Sequence, residues 1–132
     1  MPLAVQLVSP EQILFEGDAE MVICRALGTG DLAILSGHAP FVAALASWPV
    51  RVLQAGGGEH QFAVHGGFVE VSGDHVVVLS DVAELPTVID VERAVEAKQR
   101  AESVLAASPE DVSARNALTR AETRLAVAKH TT

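Results

Sequence analysis

Leu85-Pro86-Thr87-Val88-Ile89-Asp90-Val91-Glu92-Arg93-Ala94 is where the chain changes its period, and the change decides the fold. Upstream, short apolar runs alternate with Gly and Asp turns, which is the pattern of closely spaced strands. Downstream, Ala, Val, Leu, Arg and Glu recur at helical spacing for roughly forty residues. Charge divides at the same point. Residues 1–88 hold ten acids and two bases, a net of −8, whereas residues 89–132 hold seven of each, a net of 0. Two parts are expected: an acidic strand body over 1–86 and a densely charged helical element over 87–132.

Working back from Pro86, eight strands are predicted: Leu3–Val8, Ile13–Phe15, Met21–Arg25, Leu32–Leu35, Val50–Gln54, Gln61–Val64, Phe68–Val71 and Val76–Ser80. Turn signals separate them at Glu16-Gly17-Asp18, Gly28-Thr29-Gly30-Asp31, Gly56-Gly57-Gly58 and Ser72-Gly73-Asp74. So many short strands with Gly-rich turns favour an antiparallel sandwich or barrel. The run Val76–Leu79 is apolar on both faces and reads as a central strand. Hydrophobic content is 49% and aromatic content only 4%, so the core is mostly aliphatic.

Working forward, Asp90 is a favoured N-cap, with Thr87 as an alternative cap in the Thr87-Val88-Ile89-Asp90 run. Val91, Ala94, Lys98, Ala101 and Leu105 form one stripe, and Ala114, Leu118, Ala121, Leu125 and Ala128 a second. Ser108-Pro109-Glu110-Asp111 lies between them, with Ser108 placed to cap the second helix and Pro109 to open it. Two amphipathic helices across so short a loop form an antiparallel hairpin. The seam is Ala-rich, so it buries little area and holds weakly.

Arg93, Arg100, Arg120 and Arg124 each precede a seam residue, which puts them on one broad side of the hairpin near Asp90. Two readings fit this spacing. One is a solvated face, with Glu96 pairing Arg100 four residues on. The other is an anion held between guanidinium groups, for which a triphosphate suits the charge.

The rest of the inventory excludes more than it suggests. A net charge of −8 with no Tyr and one Trp argues against nucleic-acid binding. Cys24, the only cysteine, lies in an apolar run and reads as a buried strand residue in a reducing compartment. His38, His60, His65, His75 and His130 show no metal-ligand spacing. Gly28-Thr29-Gly30 and Gly66-Gly67 read as turns or close-approach points, since neither leads into a Lys-Ser/Thr phosphate loop. Ser36 and Ser80 lack a nucleophile context, so no enzyme is expected. No window holds eighteen apolar residues and the N-terminus lacks a signal pattern, so a soluble, non-secreted chain is expected.

Three ordered segments then resemble one family, the epsilon subunit of the F-type ATP synthase. They are Gly30-Asp31-Leu32-Ala33-Ile34-Leu35-Ser36-Gly37-His38-Ala39-Pro40-Phe41, then Gly66-Gly67-Phe68-Val69-Glu70-Val71 with Val76–Asp81, and Ile89-Asp90-Val91-Glu92-Arg93-Ala94. Leu7-Val8-Ser9-Pro10-Glu11 also fits. Departures are Ala33 and Ser36, where Gly and Pro are usual, and Ser47-Trp48-Pro49 in place of a Gly-containing turn. The second helix is also shorter than in ATP-binding relatives.

The resemblance implies a sandwich of about ten strands followed by a two-helix hairpin. It implies a non-catalytic central-stalk subunit whose partners are the gamma subunit, the membrane rotor ring of c subunits and, with the hairpin extended, the alpha and beta subunits. The hairpin would restrain ATP hydrolysis. ATP, with or without magnesium, would be a regulatory ligand rather than a required cofactor. Matched to the motif, Asp90, Arg93 and Ala94 are the leading ATP contacts, with Glu84, Arg100, Arg120 and Arg124 behind them. The implied location is peripheral, on the cytoplasmic face of a bacterial cell membrane. The rival expectations are a stand-alone ATP-sensing module and a small sandwich enzyme using His38 or His65.

Overall fold

A computed structural model describes residues 2–129, so His130 lies outside the described residues. Ten strands precede two helices: β1 (Leu3–Val8), β2 (Ile13–Ala19), β3 (Met21–Ala26), β4 (Gly30–Leu35), β5 (Phe41–Ala44), β6 (Ser47–Leu53), β7 (Glu59–His65), β8 (Phe68–Ser72), β9 (His75–Leu79), β10 (Ala83–Glu84), α1 (Val91–Ala107) and α2 (Val112–Ala128). They form two five-stranded sheets, ordered β2-β1-β9-β8-β5 and β10-β7-β6-β3-β4. Pairing is antiparallel except between β1 and β9, which run parallel from Ala4–His75 to Val8–Leu79.

Strand periodicity builds the core. Leu3, Val5 and Leu7 of β1 point inward and are buried, while Ala4, Gln6 and Val8 between them are only half-buried. Val22 and Cys24, Val50 and Val52, Val69 and Val71, and Val76 and Val78 repeat the pattern, with Phe62 the largest buried side chain. Burial pushes the Cys24 thiol up to about 11, so the cysteine is an inert core residue.

The structure corrects several sequence readings. Gly17 and Asp18 do not turn the chain: β2 runs on through them, with Gly17 opposite Val5. Ser47-Trp48-Pro49 is the start of β6, not a turn. Pro49 is tolerated because the β3–β6 ladder spans only Met21–Ile23 against Leu53–Arg51, so Pro49 lies beyond it. Two strands had no sequence signal. β5 is short and half Ala, and it exists through its pairing with β8; β10 is two residues paired with β7. β9 is central, as expected, but its outer face is uncovered, with Leu79 47% exposed.

At the helical end, Asp90 caps α1 by accepting from the Arg93 amide at 3.1 Å. The second cap is Asp111, not Ser108. Ser108 ends α1, with its amide donating to the Val104 carbonyl, and Asp111 accepts from the Ala114 amide at 2.9 Å. Pro109 therefore sits in the loop, where its carbonyl accepts from Arg115 at 2.7 Å. Replacing Asp111 by Ala is expected to cost about 1 kcal/mol, read as a drop of a few degrees in the α2 melting transition by circular dichroism.

The seam is as lean as the composition implied. Ala94 and Ala101 on α1 and Ala114 and Ala121 on α2 are buried, but Val91 is 49% exposed and leaves the stripe. The hairpin rests on the sandwich through α2, which packs on β6 and β7 with Thr123 buried beneath it, and the apolar part of that contact is also small. Val127 and Ala128 meet Ala63 of β7 and Ile89, forming a cluster separate from the main core. At roughly 1.5–3 kcal/mol per fully buried large aliphatic side chain, two such residues hold the hairpin by a few kcal/mol.

Candidate functional site: an arginine cleft at the joint

Asp90 starts α1 where the sandwich ends, and the antiparallel return of α2 brings Arg124 back to the same level. Glu84, Val88, Asp90, Arg93, Ala94, Ala97, Arg100 and Arg124 line one cleft of about 440 Å³. A second cleft of about 490 Å³ adjoins it along the hairpin and shares Ala97, Arg100 and Arg124; Arg120 lines this second one. Six of the seven residues singled out in the sequence thus share one cleft, and Arg120 lines its neighbour. Volumes of this order fall within the range of small-molecule sites.

The pairing of the arginines bears on the two sequence readings. Among the described residues, Arg93, Arg100 and Arg120 make no ion pair, so the expected Glu96–Arg100 pair is not formed. The two basic residues of the sandwich, by contrast, are both engaged. Arg25 bonds Asp31 at 2.8 Å and stacks over Trp48, and Arg51 bonds Glu59 at 2.9 Å. Uncommitted cations are therefore concentrated along the hairpin.

Arg124 is the exception among the four. Its Nε donates to Glu84 Oε1 at 2.7 Å, and His65 Nε2 meets the same oxygen at 2.8 Å. His65 Nδ1 faces the Ser47 hydroxyl at 2.9 Å, and that hydroxyl lies 3.4 Å from Thr123 Oγ1 on α2. Burial pushes the Glu84 carboxyl up, but the hydrogen bonds from Arg124 and His65 outweigh it, and the group ends below its ordinary value. This linkage contributes stability above the ordinary Glu range, which is lost as pH falls through the lowered value. His65 is held below its ordinary value, first by burial and then by the charges of Arg124 and Arg120, against an opposing hydrogen bond to Glu84.

The sequence gives neither Ser47 nor Thr123 a site role, and it offers His65 only as a metal ligand or in an enzyme site. No spacing rule links β6, β7 and α2, and only the docking of the hairpin brings the three together. The order Ser47–His65–Glu84 has the connectivity of a hydrolytic triad, but the hydroxyl faces α2 rather than an open cleft, and Arg124 pins the carboxylate. Elsewhere, His60 bonds Gln54, and His38 meets the Ala39 carbonyl. Among the described residues, no group of three potential ligands is placed to hold a metal ion.

Residues 2–86 match the beta-sandwich domain of the ATP synthase delta/epsilon chain, and residues 88–129 match its long alpha-helix domain. The chain is 46% identical over 129 residues to the ATP synthase epsilon chain of Shouchella clausii, covering 97% of this chain and 96% of that one. The chain belongs to the ATP synthase epsilon-subunit family. A second epsilon chain, from Brevibacillus brevis, is 48% identical over 103 residues, 78% of this chain and 77% of the relative. The fold is shared with a chain of the Euglena gracilis mitochondrial ATP synthase OSCP/F1/c-ring assembly, at a TM-score of 0.81 and 24% identity, covering 98% of this chain and 82% of that one. The family is a non-catalytic subunit of an ATP-making complex, as the resemblance implied. No described helix of this epsilon-family chain is long and apolar enough to cross a membrane.

Proposed function

We propose that this epsilon-family chain is a rotor subunit whose hairpin is a nucleotide-responsive brake on ATP hydrolysis. The observation that carries the reading is the convergence of Arg93, Arg100 and Arg124 with Asp90 and Glu84 on one cleft at the sandwich–hairpin joint, next to Arg120. Guanidinium groups suit phosphate oxygens, and the two carboxylates are acceptors suited to donor groups of a base or ribose. Val88, Ala94 and Ala97 supply apolar lining. ATP, with or without magnesium, fits this donor set. A ligand that binds only the folded hairpin shifts the population toward it in proportion to its differential affinity.

The sandwich, residues 1–86, is the docking part. Val42, Phe68 and Leu79, on the sheet ordered β2-β1-β9-β8-β5, are 64%, 55% and 47% exposed, and the pairing of β8 with β9 sets Phe68 opposite Leu79. An uncovered apolar surface on this sheet supports attachment to the gamma subunit and the ring of c subunits. The hairpin, residues 87–132, would reach the alpha and beta subunits when extended. Within such a complex the chain would lie peripherally, on the cytoplasmic face of a bacterial membrane. A stand-alone ATP sensor would leave this apolar surface without a role.

Calorimetry on the isolated chain tests the ligand. ATP is expected to bind, and Arg93→Ala to weaken it at least tenfold, as for the loss of one charged hydrogen-bonding group. Absence of heat up to millimolar ATP in the wild type overturns the nucleotide reading. The brake is tested in the assembled complex: truncation after Val88 is expected to retain assembly and proton coupling while raising ATP hydrolysis. Unchanged hydrolysis would show that the hairpin is no brake.

A further inference from the structure

The joint beneath the arginine cleft contains a buried histidine that the nucleotide reading does not use. The His65 side chain is only 4% exposed, on the outer face of β7 under α2. Its two nitrogens bridge the sandwich to itself, through Ser47 of β6 and Glu84 of β10, and both partners also touch α2, through Thr123 and Arg124.

With His65 neutral, every group is satisfied. Nε2–H donates to Glu84, and Nδ1 accepts from the Ser47 hydroxyl. The Thr123 hydroxyl donates to the Thr119 carbonyl at 2.7 Å. Glu84 and Arg124 balance in charge. Among the described residues no buried side-chain polar atom lacks a partner. A second proton on His65 changes two things. Nδ1 becomes a donor to the Ser47 oxygen, and the Ser47 proton turns toward Thr123 Oγ1 at 3.4 Å, a change that by itself does not loosen α2. A cation also appears in a water-poor joint beside Arg124 and Arg120.

The groups facing His65 fix the direction of the effect. From the sandwich they are Ser47 and Glu84, while Arg51 of β6 is engaged by Glu59. The segment Pro86–Val88 brings no titratable side chain. From α2 they are Thr123, Arg120 and Arg124. If the hairpin leaves, both arginines and the cover of α2 leave with it, whereas Glu84 stays on β10 next to β7. Released His65 therefore holds its proton more tightly than docked His65. By linkage, proton uptake favours release: the contribution of His65 to docking is full above its released-state pKa and is lost as pH falls from there through the lower docked-state value.

We propose that His65, Glu84 and Arg124 form a proton-gated latch that holds α2 on the sandwich while His65 is neutral and lets it go when His65 takes a proton beside the two arginines. The latch rests on the docked fold alone and stands whether or not ATP binds.

The test uses the full chain carrying Val127→Cys, because Val127 of α2 is fully buried against Ala63 of the sandwich and Cys24 is an unreactive core thiol. Its rate of disulfide exchange with a soluble aromatic disulfide reads the released fraction. Dividing by the rate in a His65→Gln background at each pH removes the titration of the thiol itself. The ratio is expected to rise steadily as pH falls from 8 to 6, because the docked state binds the His65 proton less tightly than the released state. A flat ratio, or one that falls, overturns the latch. Imidazole proton shifts in the unmodified chain provide a second measurement that needs no substitution. His65 is expected to titrate below the ordinary His range, and titration at or above that range contradicts the proposal.

Discussion

Gly67→Ala is expected to lower the melting temperature by about 10–15 °C. Gly67 lies between β7 and β8 at φ +114°, a region that L side chains rarely adopt. A Cβ built there falls 2.9 Å from Ser80 Cα and closer still to the Leu79 carbonyl oxygen, so backbone rather than a flexible side chain must give way. The Gly67 carbonyl also accepts from the Leu45 amide at 2.8 Å, and the neighbouring Gly66 carbonyl accepts from the Ser80 hydroxyl at 2.8 Å. Any shift therefore strains both sheets. Strain and overlap together amount to about 3 kcal/mol, which for a chain of this size gives the stated drop. Gly28→Ala is the control: it has φ +81° but nothing near its Cβ, and a loss of about 1 kcal/mol is expected. Equal melting temperatures for the two variants would contradict the close-approach account.

Arg124→Ala is expected to weaken ATP binding by between tenfold and a hundredfold. Arg124 lines both arginine clefts and is the one arginine of the four tied to the sandwich, through Glu84. Its loss removes a phosphate donor and also an anchor of the docked hairpin that forms the site. The ion pair itself is partly exposed, with side chains at 30% and 25%, so solvent screening limits its share of stability. The same substitution should raise the His65 pKa, because the cation that lowers it is gone. Arg115→Ala, at the far loop and bonded to the Pro109 carbonyl, should leave both quantities unchanged. Calorimetry and imidazole titration check the pair; unchanged ATP affinity in Arg124→Ala would remove that residue from the site.

The parts legible in the sequence are those set by local chemistry. Period two in β1 and Asp90 at a helix start could be read directly, because alternation and capping are properties of a few neighbouring residues. The Ala-rich seam was legible because composition alone limits what it can bury. What escaped depends on contacts far apart in sequence. β5 and β10 exist only through their partners, and Gly17 was misread because a Gly–Asp pair inside a paired strand resembles a turn. Ser108 looked like a cap until α1 used it as its own end. The cleft residues were found because the resemblance named them and the hairpin geometry grouped the arginines. The latch was not found, since only docking of α2 brings Arg124 to the Glu84 oxygen that His65 also meets.

A firm sandwich carrying a weakly docked hairpin is the claim on which the rest depends. Its most direct test is amide hydrogen exchange on the isolated chain, residue by residue. Amides of β1, β8 and β9, paired at the centre of one sheet, should exchange only with global unfolding. Amides of α1 and α2 should exchange at least about a hundredfold faster, through opening of the hairpin alone, and ATP should slow them. Helix amides that exchange as slowly as the sheet centre, with or without ATP, would show one cooperative body and contradict the account.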